Sequence, residues 1–266
     1  MIFKKIFITI MKILIFFMGW VALSTISVIY IKNDNPAVYR FLLEFIPFIV
    51  MTIFTLLFLM IEKGNVKLQI LKNMFKGAIT GIVVGIVWIG ISITILLVLK
   101  EVVITNKNEV PFLGLWIISA FINVVMQELL VRGYIYQLLK TKYNLSIAIL
   151  ITTLLFTLLH GASFEAGIIP VVNVVTMCLF TTFLYESTET IISPIMAHAV
   201  WNIVGAIVFG GVSLANDYPN IFTIASHKNS IVFGKNYTIE ASIIVTIINV
   251  ALTFLFWYIY RKKKSI

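Results

Sequence analysis

The sequence predicts an all-α fold, a polytopic transmembrane helix bundle with about eight spans, and three observations support this prediction. The chain of 266 residues is 61% hydrophobic with a mean hydropathy of +1.06, whereas soluble domains are about 45–50% apolar. Only 12% of its residues are charged, against roughly 25% in a soluble domain. Apolar runs of about 20 residues, each long enough to cross a bilayer, alternate with short polar segments along the chain.

These apolar runs are the predicted spans. They cover residues 6–31, 41–61, 78–99, 112–138, 146–164, 168–185, 191–211 and 240–260. The first run could instead be a signal peptide, because Lys4 and Lys5 precede it. Its apolar part is longer than that of a usual signal peptide, so we expect an uncleaved helix.

The distribution of charge predicts how the bundle is oriented. The formal net charge is +9, from 20 Lys and Arg against 11 Asp and Glu. Basic residues concentrate in segments that a cytoplasmic N-terminus would place in the cytoplasm: 4–12, 63–76, 140–142 and 261–264. We therefore expect both termini inside (N-in/C-in), as an even number of spans requires. The basic excess is then explained by the cytoplasmic loops, and we expect the lipid bilayer as a partner and no nucleic-acid binding.

Three pairs of residues with helical spacing interrupt the apolar spans: Glu128 with Arg132, Phe156 with His160, and His198 with Asn202. Residues four apart share one face of a helix. Ionisable groups are expensive in hydrocarbon, so they usually face a cavity or one another. The pairs therefore predict a polar site inside the bundle, built from three separate helices.

The residue types in these pairs suit hydrolysis. A Glu and a His together can activate water as general base and acid, and a His with an Asn can stabilise a developing oxyanion. Arg132 could hold Glu128 ionised or bind a substrate carboxylate. The alternative is a structural ion pair that only neutralises two costly buried charges.

A metal site is a further alternative at the same residues. Glu128, His160 and His198 are ligand types that zinc or another divalent metal accepts, but their spacing is not H-E-x-x-H. The single cysteine, Cys178, lies in an apolar stretch, which excludes an intramolecular disulfide and a Cys-based metal site. We expect no required cofactor, and Cys178 to be a small buried residue.

A stripe of small residues is predicted to be a packing surface. Gly77, Gly81 and Gly85 repeat every four residues in the third span, which places them along one helix face. Such a face lets another helix approach closely and carries no chemistry.

The ordered motifs resemble those of a known family. The run Gln127-Glu128-Leu-Leu-Val-Arg132-Gly133, then Phe156-x-x-x-His160, then His198-x-x-x-Asn202, resembles the CPBP family of CAAX-processing and bacteriocin-processing intramembrane proteases, also called Abi. The resemblance implies an eight-helix intramembrane endopeptidase. It further implies that Glu128 and His160 activate water, that Arg132 orients the carboxylate, and that His198 and Asn202 stabilise the oxyanion.

The resemblance also suggests how the chain is organised. Residues 1–109 hold three N-terminal transmembrane helices, and residues 110–211 hold the four spans of the catalytic core. Residues 212–266 hold an extracytoplasmic loop and the last transmembrane helix. The expected substrate is a peptide or a membrane protein, and the expected location is the bacterial cytoplasmic membrane.

The chain departs from the family pattern at one position, where Gln127 replaces the first Glu of a Glu-Glu pair. Gln cannot take up a proton at neutral pH, so this departure bears on catalysis. It supports an alternative, a non-catalytic bacteriocin-immunity or peptide-binding relative. A second alternative is a proton-coupled transporter, with Glu128, His160 and His198 as its relay.

Overall fold

The first part of the fold consists of long apolar helices. The computed structural model describes residues 2–226 and 239–265. Three helices open the chain: α1 (Ile2–Val28), α2 (Pro36–Ile61) and α3 (Met74–Val98). At the start of α2, the Asn35 side chain accepts hydrogen bonds from the backbone N–H groups of Ala37 and Val38. Pro36 follows as the first helical residue, where a missing N–H costs nothing.

The remaining helices are shorter on average and include the polar motifs. They are α4 (Leu113–Glu128), a π-helical turn (Leu129–Gly133), α5 (Tyr134–Lys142), α6 (Leu145–Leu159), α7 (Gly161–Ala166), α8 (Ile168–Thr188), α9 (Ile192–Asn202), a second π-helical turn (Ile203–Val208), a 3-10 turn (Ile239–Ala241) and α10 (Ile243–Lys264).

The predicted fold class, an all-α polytopic bundle, is confirmed. Within the described residues, 6 helical segments are long and apolar enough to cross a membrane, with α4 to α5 counted as one segment, Leu113–Lys142. The predicted fifth and seventh spans correspond to shorter apolar helices, Leu145–Leu159 and Ile192–Val208. The chain is therefore an integral membrane protein, while the number of eight spans and their orientation stay predictions.

A small two-stranded sheet joins two of the predicted loops. β1 (Val102–Lys107) pairs antiparallel with β2 (Phe222–Ser226), and the register shifts between Ile104 and Asn106. This pairing ties the segment after α3 to the predicted long loop that follows the seventh span. Residues 227–238 of that loop lie outside the described part of the chain.

The glycine stripe packs α3 against α9, so the predicted close helix contact is confirmed and its partner identified. A Cβ added at Gly81 would lie 2.3 Å from the carbonyl oxygen of Ser193, and one at Gly85 would lie 2.8 Å from that of Ala197. No side chain fits at these distances, so the two backbones are in direct contact. α9 carries His198 and Asn202, so this stripe places the third motif.

One end of the bundle gathers the segments predicted to be cytoplasmic. An ion pair between Lys12 and Glu62 links the first half of α1 to the end of α2. A second ion pair, between Lys140 and Glu186, links the end of α5 to the end of α8. Burial alone would raise the pKa of Glu62, but hydrogen bonds from Lys12 and Tyr134 bring it below its ordinary value. The basic segments therefore share one end of the molecule.

Candidate functional site

Residues from two of the motif helices meet at a buried carboxylate. Glu128, the last residue of α4, is 0% exposed. Its Oε2 accepts a hydrogen bond from Arg132 Nη1 at 2.6 Å, and its Oε1 lies 3.0 Å from His198 Nδ1 on α9. A carboxylate only accepts, so Nδ1 of His198 carries a proton and donates it. One charged group thus joins the first and third motifs.

Arg132 is held by the protein on all sides. Besides Glu128, its guanidinium donates to the Thr182 hydroxyl at 3.2 Å, to the Thr181 hydroxyl at 2.5 Å and to the Cys178 carbonyl at 2.9 Å. Arg132 is 0% exposed. These contacts leave it no free face for a substrate carboxylate, so they favour the interpretation in which Arg132 holds Glu128. Cys178 itself is buried, as expected.

His160 does not lie inside a helix, and the prediction of one unbroken helix over 146–164 is wrong. α6 ends at Leu159, and His160 has φ −93° and ψ 51°. Its ring Nδ1 lies 2.8 Å from the carbonyl oxygen of Phe156, the group to which its own backbone N–H would bond in a continuing helix. That backbone N–H bonds instead to Thr157 O at 3.1 Å. The side chain therefore competes with the helix and ends it.

The same contact sets the chemistry of the His160 ring. A carbonyl oxygen only accepts, so Nδ1 donates and the neutral ring keeps a free lone pair on Nε2. The ring lies against Phe156, with centroids 4.2 Å apart, and His198 lies on the same phenyl group at 6.3 Å. Phe156 therefore has both imidazoles beside it, which brings the second motif to the other two.

Of the two imidazoles, His198 is the one hydrogen-bonded to Glu128. The sequence had placed His160 beside this carboxylate. Motif order cannot decide between two histidines, because the contact depends on how α9 packs. Asn202 lies one turn after His198 and is 5% exposed, and its side chain forms no hydrogen bond with another described residue.

Gln127 points along α4 to a polar group that the sequence analysis missed. Its Nε2 donates to Asn123 Oδ1 at 2.6 Å, and Asn123 Nδ2 donates to Glu44 Oε2 on α2 at 2.8 Å. Glu44 is 6% exposed. A carboxylate inside the predicted span 41–61 was a signal that could have identified it.

Each of two motif helices changes to π-helical winding just after a motif residue. The first π-helical turn follows Glu128 and contains Arg132, and the second follows Asn202. Wide turns of this kind are rare and frequently occur at functional sites. Their position therefore supports a functional role for the polar cluster.

The side chains in the cluster do not form an evident metal site. Within the described residues, no group of three or more His, Cys, Asp and Glu side chains is arranged to hold a metal ion. Glu128 and His198 are in contact, but each already has a protein partner at the bonded atom. The expectation of no required metal stays a prediction for a chelator experiment.

Comparison with known proteins gives one match. Residues 109–204 match the family model described as type II CAAX prenyl endopeptidase, Rce1-like. All three motifs, and the cluster built around Glu128, lie within the matched segment. No curated protein and no solved structure matches the chain.

Proposed function

We propose, on the premise that residues 109–204 belong to the CPBP/CAAX-protease family, that this membrane protein hydrolyses peptide bonds in a peptide or membrane-protein substrate. The observation that carries the proposal is the carboxylate of Glu128, shared between Arg132 and His198 on separate segments. We further propose that the protein acts in the bacterial cytoplasmic membrane.

The first step is attack by water on the scissile carbonyl carbon. The free Nε2 lone pair of His160 takes the proton that the water loses, as a general base. The family resemblance assigns the base to Glu128 together with His160. Each oxygen of Glu128 already accepts a hydrogen bond, whereas Nε2 of His160 is free, which favours His160 as the group that accepts the proton. Glu128 then acts through His198, to which it is hydrogen-bonded.

The negative charge then develops on the former carbonyl oxygen. The family resemblance assigns the oxyanion site to His198 and Asn202, and Nε2 of His198 is a donor there when the ring carries a proton on both nitrogens. That Nε2–H and the Asn202 amide would then donate to the oxyanion. Collapse of the tetrahedral intermediate breaks the C–N bond. The proton held by His160 goes to the leaving amine, and the products are a free amine and a carboxylic acid, which then loses its own proton to water.

The experiment is cleavage of a library of membrane-tethered peptides by purified protein in nanodiscs. Wild type is compared with Glu128→Ala and His160→Ala, with and without chelator. We expect both alanine variants to lose cleavage by at least about a hundredfold, the usual contribution of a general base. Glu128→Ala should also lower the unfolding midpoint, because it leaves Arg132 buried without its carboxylate. Unchanged cleavage in either variant would remove that residue from the mechanism.

Gln127 supports a second candidate, a relative that binds a peptide in this cluster without cleaving it. In that case the wild-type protein cleaves no peptide of the library but binds peptides. Cells that carry Glu128→Ala should then have the same phenotype as cells that carry the wild-type protein. If Gln127→Glu alone turns an inert wild type into a protease, the scaffold is that of an enzyme and its natural form is the binding relative.

A further inference from the structure

A run of polar side chains leads from α2 to the residue beside Glu128. The amide ladder, defined here as Asn123 and Gln127, hydrogen-bonds at its far end to Glu44. The other oxygen of Glu44 lies 3.2 Å from Arg40 Nη1, one turn earlier on α2. Arg40 also donates to both carboxylate oxygens of Asp217, so it is shared between two acidic residues. The amide ladder therefore begins at a buried carboxyl group whose two oxygens accept from Arg40 and from Asn123.

That carboxyl group gives the amide ladder a single direction. Both oxygens of Glu44 accept hydrogen bonds, one from Arg40 and one from Asn123, so Asn123 turns its NH₂ group towards Glu44. Its oxygen then faces Gln127 and can only accept, so Gln127 must in turn present its NH₂ group. The oxygen of Gln127 is left over. It is a buried atom without a hydrogen-bond partner among the described residues.

A buried acceptor without a partner costs free energy, so it needs an explanation. Its position offers one, because Gln127 adjoins Glu128 in the sequence and lies in the first motif. We propose that Glu44 is a positioning residue that, through Asn123, holds Gln127 Oε1 as a hydrogen-bond acceptor for the reacting complex. The donor is an N–H of the substrate backbone or an ordered water. This inference rests on the proposed function.

The proposal is tested by moving the carboxylate from position 44, at one end of the amide ladder, to position 127, at the other end. The variants are Glu44→Gln, Gln127→Glu and the double variant that carries both changes. Gln127→Glu alone puts two carboxylates on one asparagine amide, whose oxygen must then face one of them. In the double variant the amide of Asn123 can turn round, with its NH₂ group towards position 127, and every partner is satisfied again.

Two readouts are measured for each variant in nanodiscs: the thermal unfolding midpoint, and kcat and KM on a peptide that wild type cleaves. We expect Gln127→Glu to lower the midpoint and to lower kcat by about tenfold, since one misplaced hydrogen bond is worth about 1.4 kcal/mol. Adding Glu44→Gln should restore most of both losses. Equal losses from Gln127→Glu with and without Glu44→Gln would overturn the proposal.

A matched control separates this effect from the removal of any buried carboxylate. Glu62 is 4% exposed and lies at the other end of α2, bonded to Lys12 and Tyr134. Glu62→Gln should lower the midpoint, leave kcat unchanged and fail to rescue Gln127→Glu. A rescue by Glu62→Gln would overturn the specific role of Glu44. If no variant cleaves any peptide, the proposed function fails and the role of Glu44 in the reaction fails with it. The midpoints then still decide whether Glu44 orients the amide ladder, because that orientation predicts that Glu44→Gln restores the midpoint of Gln127→Glu.

The two sources of the hydrogen-bond donor are distinguished with modified substrates. Peptides are N-methylated at one backbone position at a time near the scissile bond, and wild type is compared with Gln127→Leu. If the donor is a substrate N–H, methylation at one position abolishes the difference between the two proteins. If the donor is water, the difference persists with every methylated peptide.

Discussion

The contact between α3 and α9 should control the geometry of the candidate site, and Gly81→Ala is the change that tests this. A Cβ at Gly81 would lie 2.3 Å from the backbone oxygen of Ser193, whereas real Cβ atoms essentially never approach closer than 3.0 Å, so the helices must separate by about 0.7 Å. The obstacle is backbone, so no side-chain rotation relieves it. α9 carries His198 five residues further on, and its 3.0 Å contact with Glu128 would lengthen or bend.

Two consequences of Gly81→Ala can be measured. Overpacking of this kind costs about 1–3 kcal/mol in the free energy of unfolding. Misplacing a catalytic group by about 1 Å lowers turnover by about a hundredfold, so cleavage should fall by about ten- to a hundredfold. Thermal unfolding in nanodiscs gives the first quantity, and cleavage of a membrane-tethered peptide gives the second.

Gly90→Ala is the matched control, because it adds the same methyl group to the same helix. Nothing lies within 4 Å of a Cβ at Gly90, so this variant should unfold at or slightly above the wild-type midpoint. If the two alanine variants have the same midpoint and the same activity, the α3–α9 contact does not position the third motif, and the argument is wrong.

Three further predictions concern Arg132, Glu240 and metal. Arg132→Ala leaves the Glu128 carboxylate buried without its cation, so it should cost about 3–5 kcal/mol in unfolding free energy; an unchanged unfolding midpoint would contradict this. Burial raises the pKa of Glu240, which lies before the first residue of the spanning helix α10, from 4.5 to about 7, with an opposing contribution from the Ser213 N–H. The folded protein therefore holds this proton more tightly than the unfolded chain. The resulting stability is complete below about pH 4.5 and is lost as the pH rises through about 7, so the midpoint should fall over that range in wild type and less in Glu240→Gln. A chelator should leave cleavage unchanged, and a loss that zinc restores would contradict this.

The sequence predicted those features that depend on local pattern. Hydropathy located the helices, and a spacing of four predicted the contact between Glu128 and Arg132, because both depend only on neighbouring residues. The glycine stripe likewise predicted a close helix contact. It could not identify α9 as the partner, because several helices could have packed there.

Two kinds of feature could not be predicted from the sequence. One is a contact between residues that are distant in the chain, and the other is the competition between a side chain and a backbone N–H for the same carbonyl oxygen. Glu128 and His198 are 70 residues apart, and the order of the motifs is the same whichever histidine reaches the carboxylate. The end of α6 at Leu159 depends on whether the ring of His160 or its backbone N–H takes the Phe156 carbonyl. Hydrophobic pattern is unaffected by that choice, so it predicted a continuous helix.

The π-helical turn after Glu128 shows how the polar site and the helix that carries it support each other. A wide turn leaves backbone carbonyl groups without their usual α-helical partners, and buried carbonyls need a donor. Gln137, five residues after Arg132, donates from its side chain to the Arg132 carbonyl at 3.0 Å and to the Tyr185 hydroxyl at 2.8 Å. The side chain thus compensates the widened turn and also ties it to α8. The hydroxyl and carbonyl groups that bind the Arg132 guanidinium come from the same helix α8. The guanidinium of Arg132 is therefore fixed directly by α8, and its backbone carbonyl is fixed indirectly, through Gln137. With Arg132 held in this way, Glu128 accepts from it and from His198 on α9.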